Sequence, residues 1–230
     1  MIYISNANID NEDMSDITDW TDIDQGNGVS TQVTFDGKSC MKLDSGTPAS
    51  GSNSGFRFQN LGAYGTRVVF SFSAYFESLG TVLGPNYNDD FNLEVYNGTT
   101  HFWSRFGTDG LFIYDGTTHN EIGTDLVVLD VWQEWTFDIN WTAQTVDVYL
   151  DKVLIASGVD CSHASSSYSG WTWFRQRGDN LSNNITYIDW FKAGSNFDTD
   201  IKSYNNVLQA NLKQVAGTVI GSIKKIIGVA

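Results

Sequence analysis

Apolar and polar residues alternate along most of this chain, and this period of two limits its fold more than any other feature. Between residues 68 and 76, Phe70, Phe72, Ala74 and Phe76 alternate with serine and tyrosine. Successive side chains of a β-strand point to opposite faces, so the spacing predicts a strand with one buried face. The same period predicts strands in residues 91–95, 135–141 and 146–150.

Eight further segments have strand character, and turn-forming dipeptides separate many of them. The segments are residues 31–35, 40–43, 55–58, 101–106, 111–114, 153–156, 171–176 and 185–191. The dipeptides Asp36-Gly37, Asn97-Gly98, Asp109-Gly110 and Asp115-Gly116 tolerate the positive φ angles of tight hairpins. About a dozen short strands without an amphipathic helix predict an all-β fold, an antiparallel sandwich or barrel.

One short sequence occurs twice. Tyr96-Asn-Gly-Thr-Thr-His101 returns as Tyr114-Asp-Gly-Thr-Thr-His119. The two copies are interpreted either as consecutive hairpins that share a favourable turn sequence or as a pair of ligand-binding loops with one histidine each.

The charge of the chain is unevenly distributed. The 27 acidic and 13 basic residues give a net charge of −14, which argues against a nucleic-acid partner. Residues 1–200 contain all 27 acids and nine of the bases, hence −18, whereas the last thirty residues contain four lysines and no acid. The break predicts two parts, a body of residues 1–196 and a C-terminal tail of residues 197–230.

The sequence shows no pattern typical of a targeting or membrane-spanning segment. The N-terminal residues lack a basic stretch followed by a long apolar one, and no run of about 18 apolar residues occurs. We therefore expect neither a signal peptide nor a transmembrane segment.

Cys40 and Cys161 are the only cysteines in the sequence. They either form one long-range disulfide or are two separate buried thiols.

The segment from Trp132 to Ala156, WQEWTFDINWTAQTVDVYLDKVLIA, resembles the concanavalin A-like and laminin G-like jelly-roll domains. Those domains have a strand led by tryptophan, a short turn, and a strand that ends in Tyr-hydrophobic-Asp-Gly; here Lys152 takes the place of the final glycine. Residues 37–44 resemble the opening hairpin and residues 185–194 the closing strand. The resemblance covers about residues 15–195 and implies a jelly-roll sandwich of two antiparallel sheets, often with a concave face that binds glycans.

The same fold contains glycoside hydrolases and polysaccharide lyases, but their catalytic patterns are absent from the sequence. No Glu-x-Asp-x-x-Glu spacing supplies the paired carboxylates of a retaining glycosidase. Residues 190–197, WFKAGSNF, resemble a block of jelly-roll alginate lyases, but Phe197 has no hydroxyl where that block has its catalytic tyrosine, and no Gln-Ile-His triplet occurs. We predict no catalytic residues and a protein that is not an enzyme.

Two predicted strands each place a tryptophan and an arginine on one face. A further aromatic ring, His101 in one strand and Trp171 in the other, lies on the same face. The candidate glycan-binding residues are His101, Trp103, Arg105, Trp171, Trp173 and Arg175. An aromatic ring stacks on the C–H face of a sugar while a guanidinium donates to hydroxyls or a carboxylate. The alternative is that the tryptophans belong to the core and the arginines extend past them to solvent.

Calcium is common in jelly-roll domains and binds clustered oxygen ligands. Residues 86–90, NYNDD, and the acids between Asp10 and Asp24 are the available donors. They form no specific motif, and in so acidic a body such clusters are ordinarily solvated. No metal site or cofactor is predicted.

The last thirty residues consist of three units with an eleven-residue period. Ile201, Leu212 and Ile223 align, as do Lys202, Lys213 and Lys224, and Gly217 and Gly228 align with Asn206. Glycine and β-branched residues weaken a helix, so short strands joined by turns are favoured over a supercoiled helix or a basic amphipathic helix on a membrane. Three such units cannot bury their apolar positions alone. We predict oligomerisation or anchoring through Ile201, Leu212, Ile223, Gly217 and Gly228.

These units resemble Ile-Lys-x-x-Asn-Gly-Val-Ala-x-Ala-Asn repeats at the ends of appendage and other virion proteins of tailed bacteriophages. The resemblance implies a virion structural protein on the surface of the particle, made in the host cytoplasm and displaying a glycan-binding jelly roll for host attachment. Its partners would be further copies of the chain, as in a trimer, or another virion protein through the tail, and host-cell glycan through the body. The alternatives are a decoration protein that stabilises the particle without binding glycan and a polysaccharide depolymerase.

Overall fold

A computed structural model describes residues 7–11, 14–18, 20–46, 52–59, 66–83, 90–97, 100–161, 171–178 and 183–194 of the protein. These residues form fifteen β-strands, and none of them is helical. The strands are β1 (Ala7–Asn11), β2 (Thr21–Asp22), β3 (Val29–Phe35), β4 (Lys38–Asp44), β5 (Ser52–Gln59), β6 (Arg67–Ser78), β7 (Phe91–Asn97), β8 (Thr100–Gly107), β9 (Gly110–Tyr114), β10 (His119–Gly123), β11 (Trp132–Asn140), β12 (Thr145–Leu150), β13 (Val153–Asp160), β14 (Trp171–Gly178) and β15 (Ile185–Gly194).

The strands form two antiparallel sheets. Sheet A has the order β13-β12-β11-β6-β15-β4-β3. Strand β15 pairs with β4 through its first half and with β1 through its second half. Sheet B has the order β10-β9-β8-β7-β14-β5-β2. The predicted all-β antiparallel sandwich is confirmed, and its two-sheet architecture is that of a jelly roll.

Phenylalanine is the commonest residue in the described core between the sheets. Phe72 of β6 lies 5.1 Å from the ring centroid of Phe174 and 6.1 Å from those of Phe91 and Phe106, all three on sheet B. These rings are fully buried, and they come from the apolar positions of the alternating segments. The period of two therefore sends one half of each central strand into this core and the other half to the opposite face.

Each of the twelve predicted strand segments lies in an observed strand, with one error of extent. Trp141 continues the apolar alternation of β11, but the chain turns there, and the Asn140 side chain accepts hydrogen bonds from the amides of Thr142 and Ala143. Strands β1, β2 and β10 were not predicted. Each is short and polar and lies against a single neighbouring strand, so its conformation depends on that neighbour's hydrogen bonds.

Cys40 and Cys161 are separate buried thiols, which decides between the two alternatives left open by the sequence. Burial raises the pKa of Cys40 to about 11 and that of Cys161 to about 12. Both are therefore protonated and unreactive at neutral pH. The predicted tail, residues 197–230, lies outside the described residues, so the division into body and tail remains a prediction.

Two hairpins of sheet A have two-residue turns in which both residues have positive φ. Asp36 and Gly37 have φ of 51° and 74° between β3 and β4, and Asp151 and Lys152 have 48° and 71° between β12 and β13. Lys152 thus adopts a left-handed conformation at the position where the jelly-roll domains that this segment resembles have glycine. A residue with a Cβ is strained there, because the side chain approaches the following carbonyl oxygen.

We predict that Lys152→Gly stabilises the protein by about 1 kcal/mol, because it removes this strain. The ion pair of Lys152 with Glu134 at 3.4 Å is solvent-exposed, and its loss offsets little of the gain. Gly37→Lys is the matched reverse change, since nothing lies within 4 Å of a Cβ there, and it should destabilise by a similar amount. Urea unfolding of both variants measures the effects, and destabilisation by Lys152→Gly would contradict the prediction.

Candidate functional site

The outward face of sheet B carries an unusual concentration of aromatic and charged side chains. In β7 and β8, Glu94 lies opposite Trp103 and Asn92 opposite Arg105. In β7 and β14, Glu94 also lies opposite Trp173 and Asn92 opposite Arg175. Directly opposed residues of antiparallel strands share a face. We call this surface the polar face of sheet B; its central members are Arg57, Asn92, Glu94, Tyr96, His101, Trp103, Arg105, Trp173, Arg175 and Arg177.

Five of the six candidate glycan-binding residues have described side chains, and all five lie on this face. His101, Arg105 and Trp173 are buried, whereas Trp103 and Arg175 are partly exposed. Neither Trp103 nor Trp173 belongs to the core between the sheets. Trp171 is the first residue of β14, and its side chain lies outside the described residues. The structure therefore brings together two motifs that are about seventy positions apart in the sequence.

Glu94 lies at the centre of the polar face, although it is not among the candidate residues predicted from the sequence. Tyr96 donates a hydrogen bond from its hydroxyl to Glu94 Oε2 at 2.7 Å. The second carboxylate oxygen, Oε1, lies 3.7 Å from Arg177 Nη2 and 3.9 Å from Arg175 Nη1. Its carboxylate thus faces two guanidinium groups from the neighbouring strand. The alternation of Asn92, Glu94 and Tyr96 in β7 shows that these side chains share a face, but it does not show that β14 is adjacent.

These surroundings keep Glu94 ionised. Burial alone would raise the pKa of a carboxyl group that is 4% exposed. The adjacent His101 imidazole and the positive charges of Arg177 and Arg175 outweigh burial and lower the pKa of Glu94 to about 2. A carboxyl group with this pKa has no proton to donate at neutral pH, so Glu94 is suited to a counterion role and not to that of a general acid.

Trp103 is held from several sides. Its indole nitrogen donates to Asn92 Oδ1 at 2.5 Å. The guanidinium groups of Arg105 and Arg177 lie over its ring at 5.3 and 5.2 Å from the centroid. The His101 ring stacks nearly parallel to it at 6.0 Å. Trp103 is therefore fixed in one orientation while part of it remains accessible to solvent.

Arg105 is anchored by a buried ion pair with Asp90, in which Nε donates to Oδ2. Its Nη1 lies 3.1 Å from His119 Nε2. Because a guanidinium only donates, His119 Nε2 accepts, and the imidazole proton lies on Nδ1. Burial, followed by the charge of Arg105, lowers the pKa of His119. His119 is therefore a neutral ring beside a positive group.

The repeated sequence forms two hairpins, and each places a tyrosine against a histidine on the polar face. Tyr96 and His101 are opposed and stack at 4.0 Å. Tyr114 and His119 are opposed in the same way, with centroids 4.7 Å apart. Tyr114 and His119 both contact Trp103. The hairpin interpretation is confirmed, and both copies also border the candidate site.

The acidic residues considered for calcium do not form a metal site in the described part of the chain. Asp90 pairs with Arg105 and accepts a hydrogen bond from Asn92 at 3.1 Å. Asp24 accepts hydrogen bonds from Ser30 and from the Gly55 amide. Among the described residues, no group of three or more His, Cys, Asp or Glu side chains could hold a metal ion. Residues 86–89 and residues 12, 13 and 19 of the possible donors lie outside them.

No protein-family model and no curated protein matches this sequence. Solved structures are similar in fold. A sialidase matches with a TM-score of 0.60 and 11% identity, over 86% of this chain and 19% of its own. A carbohydrate esterase of a Shiga toxin-encoding bacteriophage matches with a TM-score of 0.51 and 15% identity, over 77% and 90%. A structure of botulinum neurotoxin type C, whose uptake into cells depends on two ganglioside molecules, matches with a TM-score of 0.56 and 12% identity, over 89% and 51%.

These identities show a shared β-sandwich fold and nothing finer. The chain spans only about a fifth of the sialidase and half of the neurotoxin chain. None of the described residues belongs to a helix long and apolar enough to cross a membrane.

We predict that Glu94→Gln destabilises the protein at pH 7 by about 3 kcal/mol, because it leaves two partly buried guanidinium groups without their counterion. The pKa of Glu94 is lower in the folded than in the unfolded protein. The contribution of ionised Glu94 to the free energy of unfolding is therefore complete above pH 4.5 and is lost as the pH falls toward 2.

The difference in unfolding free energy between wild type and Glu94→Gln should accordingly narrow between pH 4.5 and pH 2.5 in urea titrations. Glu121→Gln changes an exposed carboxylate on the same sheet and serves as the matched control. A difference that is independent of pH would contradict the assignment of Glu94 as an ionised counterion.

Proposed function

We propose that this protein binds a glycan on the polar face of sheet B. The observation that carries the proposal is the fixed, partly exposed Trp103 among the arginine side chains of β8 and β14. An indole ring offers an apolar surface to the C–H groups of a sugar, and guanidinium groups donate to its oxygen atoms. A site of this composition discriminates sugars from purely apolar ligands.

Preorganisation supports the same proposal. Asn92 and the stacked His101 hold Trp103, and Asp90 holds Arg105, so these side chains lose little conformational freedom when a ligand binds. Tyr114 and His119, which are partly exposed and contact Trp103, extend the aromatic surface along the strands. The face therefore provides adjacent accessible rings, which suits an oligosaccharide.

The structural neighbours are consistent with this function. The botulinum neurotoxin interacts with gangliosides, and the phage protein is a carbohydrate esterase. The similarity in fold to an esterase and a sialidase supports polysaccharide depolymerase activity as the alternative function of this chain. Release of reducing ends or unsaturated products from capsular polysaccharide would favour that alternative over binding alone.

We further propose that the protein is a structural protein of a tailed bacteriophage, displayed on the virion surface for attachment to host glycan. The eleven-residue repeat of the tail is the basis for this assignment. Its aligned apolar residues would assemble copies of the chain or anchor it to another virion protein. A decoration role without glycan binding remains the alternative, and it predicts particles that lose heat resistance but adsorb normally when the protein is absent.

We predict that the full-length protein binds members of a bacterial glycan array and that Trp103→Phe weakens this binding about tenfold, because a smaller ring without the indole N–H remains. Trp132→Phe is the matched control. Trp132 also lies beneath a cation, Lys38 at 4.0 Å, but on the outward face of sheet A. Absence of binding across the array, or a larger effect of Trp132→Phe, would contradict the proposed site.

We predict that the triple variant Ile201→Ser, Leu212→Ser and Ile223→Ser lowers the molar mass in solution from that of an oligomer to that of a monomer. The three changes remove the aligned apolar positions of the repeat. Val153→Ser with Leu154→Ser, two exposed apolar residues of the body, is the control and should leave the mass unchanged. Multi-angle light scattering measures both, and a monomeric wild type would contradict the predicted oligomerisation.

A further inference from the structure

We propose that the polar face selects an acidic sugar and that Arg175 receives the sugar's carboxylate. This inference rests on the proposed glycan-binding function and names the chemical class of its ligand. Three observations support it: the distribution of arginine, the bonding of Arg175 itself, and the position of Trp103.

Arginine is concentrated on this face, although the protein as a whole is acidic. The chain has five arginines and a net charge of −14, and four of the five lie here: Arg57, Arg105, Arg175 and Arg177. The fifth, Arg67, pairs with Asp138 on sheet A. Among the described residues of this face, the buried carboxylates are Asp90 and Glu94. Four of the five arginines of an acidic protein therefore lie together on one face.

Asp90 and Glu94 contact the arginines of this face differently. Asp90 forms a hydrogen-bonded ion pair with Arg105, and both members are buried. Glu94 faces both Arg175 and Arg177, and its Oε1 has no hydrogen-bond partner among the described residues. The contacts of 3.7 and 3.9 Å are longer than hydrogen bonds, which end near 3.2 Å for N–H donors. One carboxylate thus attracts two guanidinium groups without engaging either by a hydrogen bond.

Arg175 is the arginine whose bonding is least complete. Within the described part of the chain it makes no hydrogen bond, and its single ion pair is the 3.9 Å contact with Glu94. Burial, followed by the charge of Arg177, lowers the pKa of Arg175. Its side chain is nevertheless 21% exposed, so a ligand can reach it. A ligand carboxylate beside Arg175 would supply hydrogen-bond acceptors for its guanidinium group and a second negative charge.

The adjacent Trp103 favours a sugar as the carrier of that carboxylate. Arg177, which shares Glu94 with Arg175, lies 5.2 Å from the centre of the Trp103 ring. A ligand carboxylate at Arg175 would therefore place a neighbouring ring within reach of Trp103. A planar carboxylate accepts two parallel hydrogen bonds from a guanidinium fork, a geometry that hydroxyl groups do not provide. Uronic and sialic acids combine such a carboxylate with a pyranose ring.

The test compares each acidic sugar with its carboxyl-reduced form by calorimetry on the full-length protein. Oligogalacturonate and sialyllactose are the probes, their reduced forms are the neutral partners, and a sulfated oligosaccharide is included. We expect at least one acidic sugar to bind about tenfold more tightly than its reduced form. Arg175→Gln should remove this preference, because it weakens binding of the acidic sugar more than binding of its reduced form. Lys152→Gln makes the same charge change on an exposed turn of sheet A and should retain the preference.

The outcomes separate this inference from the proposed function. Equal binding of the acidic and reduced sugars contradicts acidic-sugar selection but leaves glycan binding intact, whereas no binding of any sugar contradicts both. Preference for the sulfated sugar over both acidic probes shows recognition of a different anion and overturns the carboxylate assignment. Circular dichroism and thermal unfolding check that Arg175→Gln folds; if it does not, the comparison of acidic and reduced sugars on the wild type decides.

Discussion

The packing of aromatic rings between the two sheets is the interaction on which the rest of the structure depends. Phe72 of sheet A contacts three rings of sheet B and lies 6.3 Å from Phe137 of its own sheet. Burying each such ring contributes roughly 1.5–3 kcal/mol. The contacts also fix the relative position of β6, β7, β8 and β14. Since a strand's two faces alternate, fixing the inward rings determines which side chains face outward.

The polar face of sheet B is a direct consequence of that arrangement. Its arginines and carboxylates are removed from water by their aromatic neighbours, which is unfavourable unless the charges are paired. Asp90 meets this requirement for Arg105, whereas Glu94 is shared between two arginines at longer distances. The result is a rigid surface on which one guanidinium is incompletely compensated. Rigidity with incomplete compensation is what a binding site for a charged, hydroxylated ligand requires.

The central strands and several site residues could be predicted because they depend on local sequence. Trp103 with Arg105 and Trp173 with Arg175 stand two residues apart, so each pair shares a face in any strand. The sequence does not single out Glu94, because no local pattern shows that β14 pairs with β7. The contact of Arg177 with Glu94 depends on the same long-range pairing. The acceptor role of His119 depends on the register of the successive strands β8, β9 and β10. The edge strands β1, β2 and β10 escaped prediction for a related reason, since their polar residues become strands only beside a partner.

The sequence by itself determined the strand periodicity, the all-β class, the positions of several turns and the uneven distribution of charge along the chain. These properties follow from the side chains of neighbouring residues and from the steric limits on the backbone. Only the tertiary structure decided the order of the strands, the separate burial of the two cysteines and the gathering of four arginines on the polar face of sheet B. Those features are set by hydrogen bonding and packing between segments far apart in the chain, and no local pattern specifies which strands become neighbours.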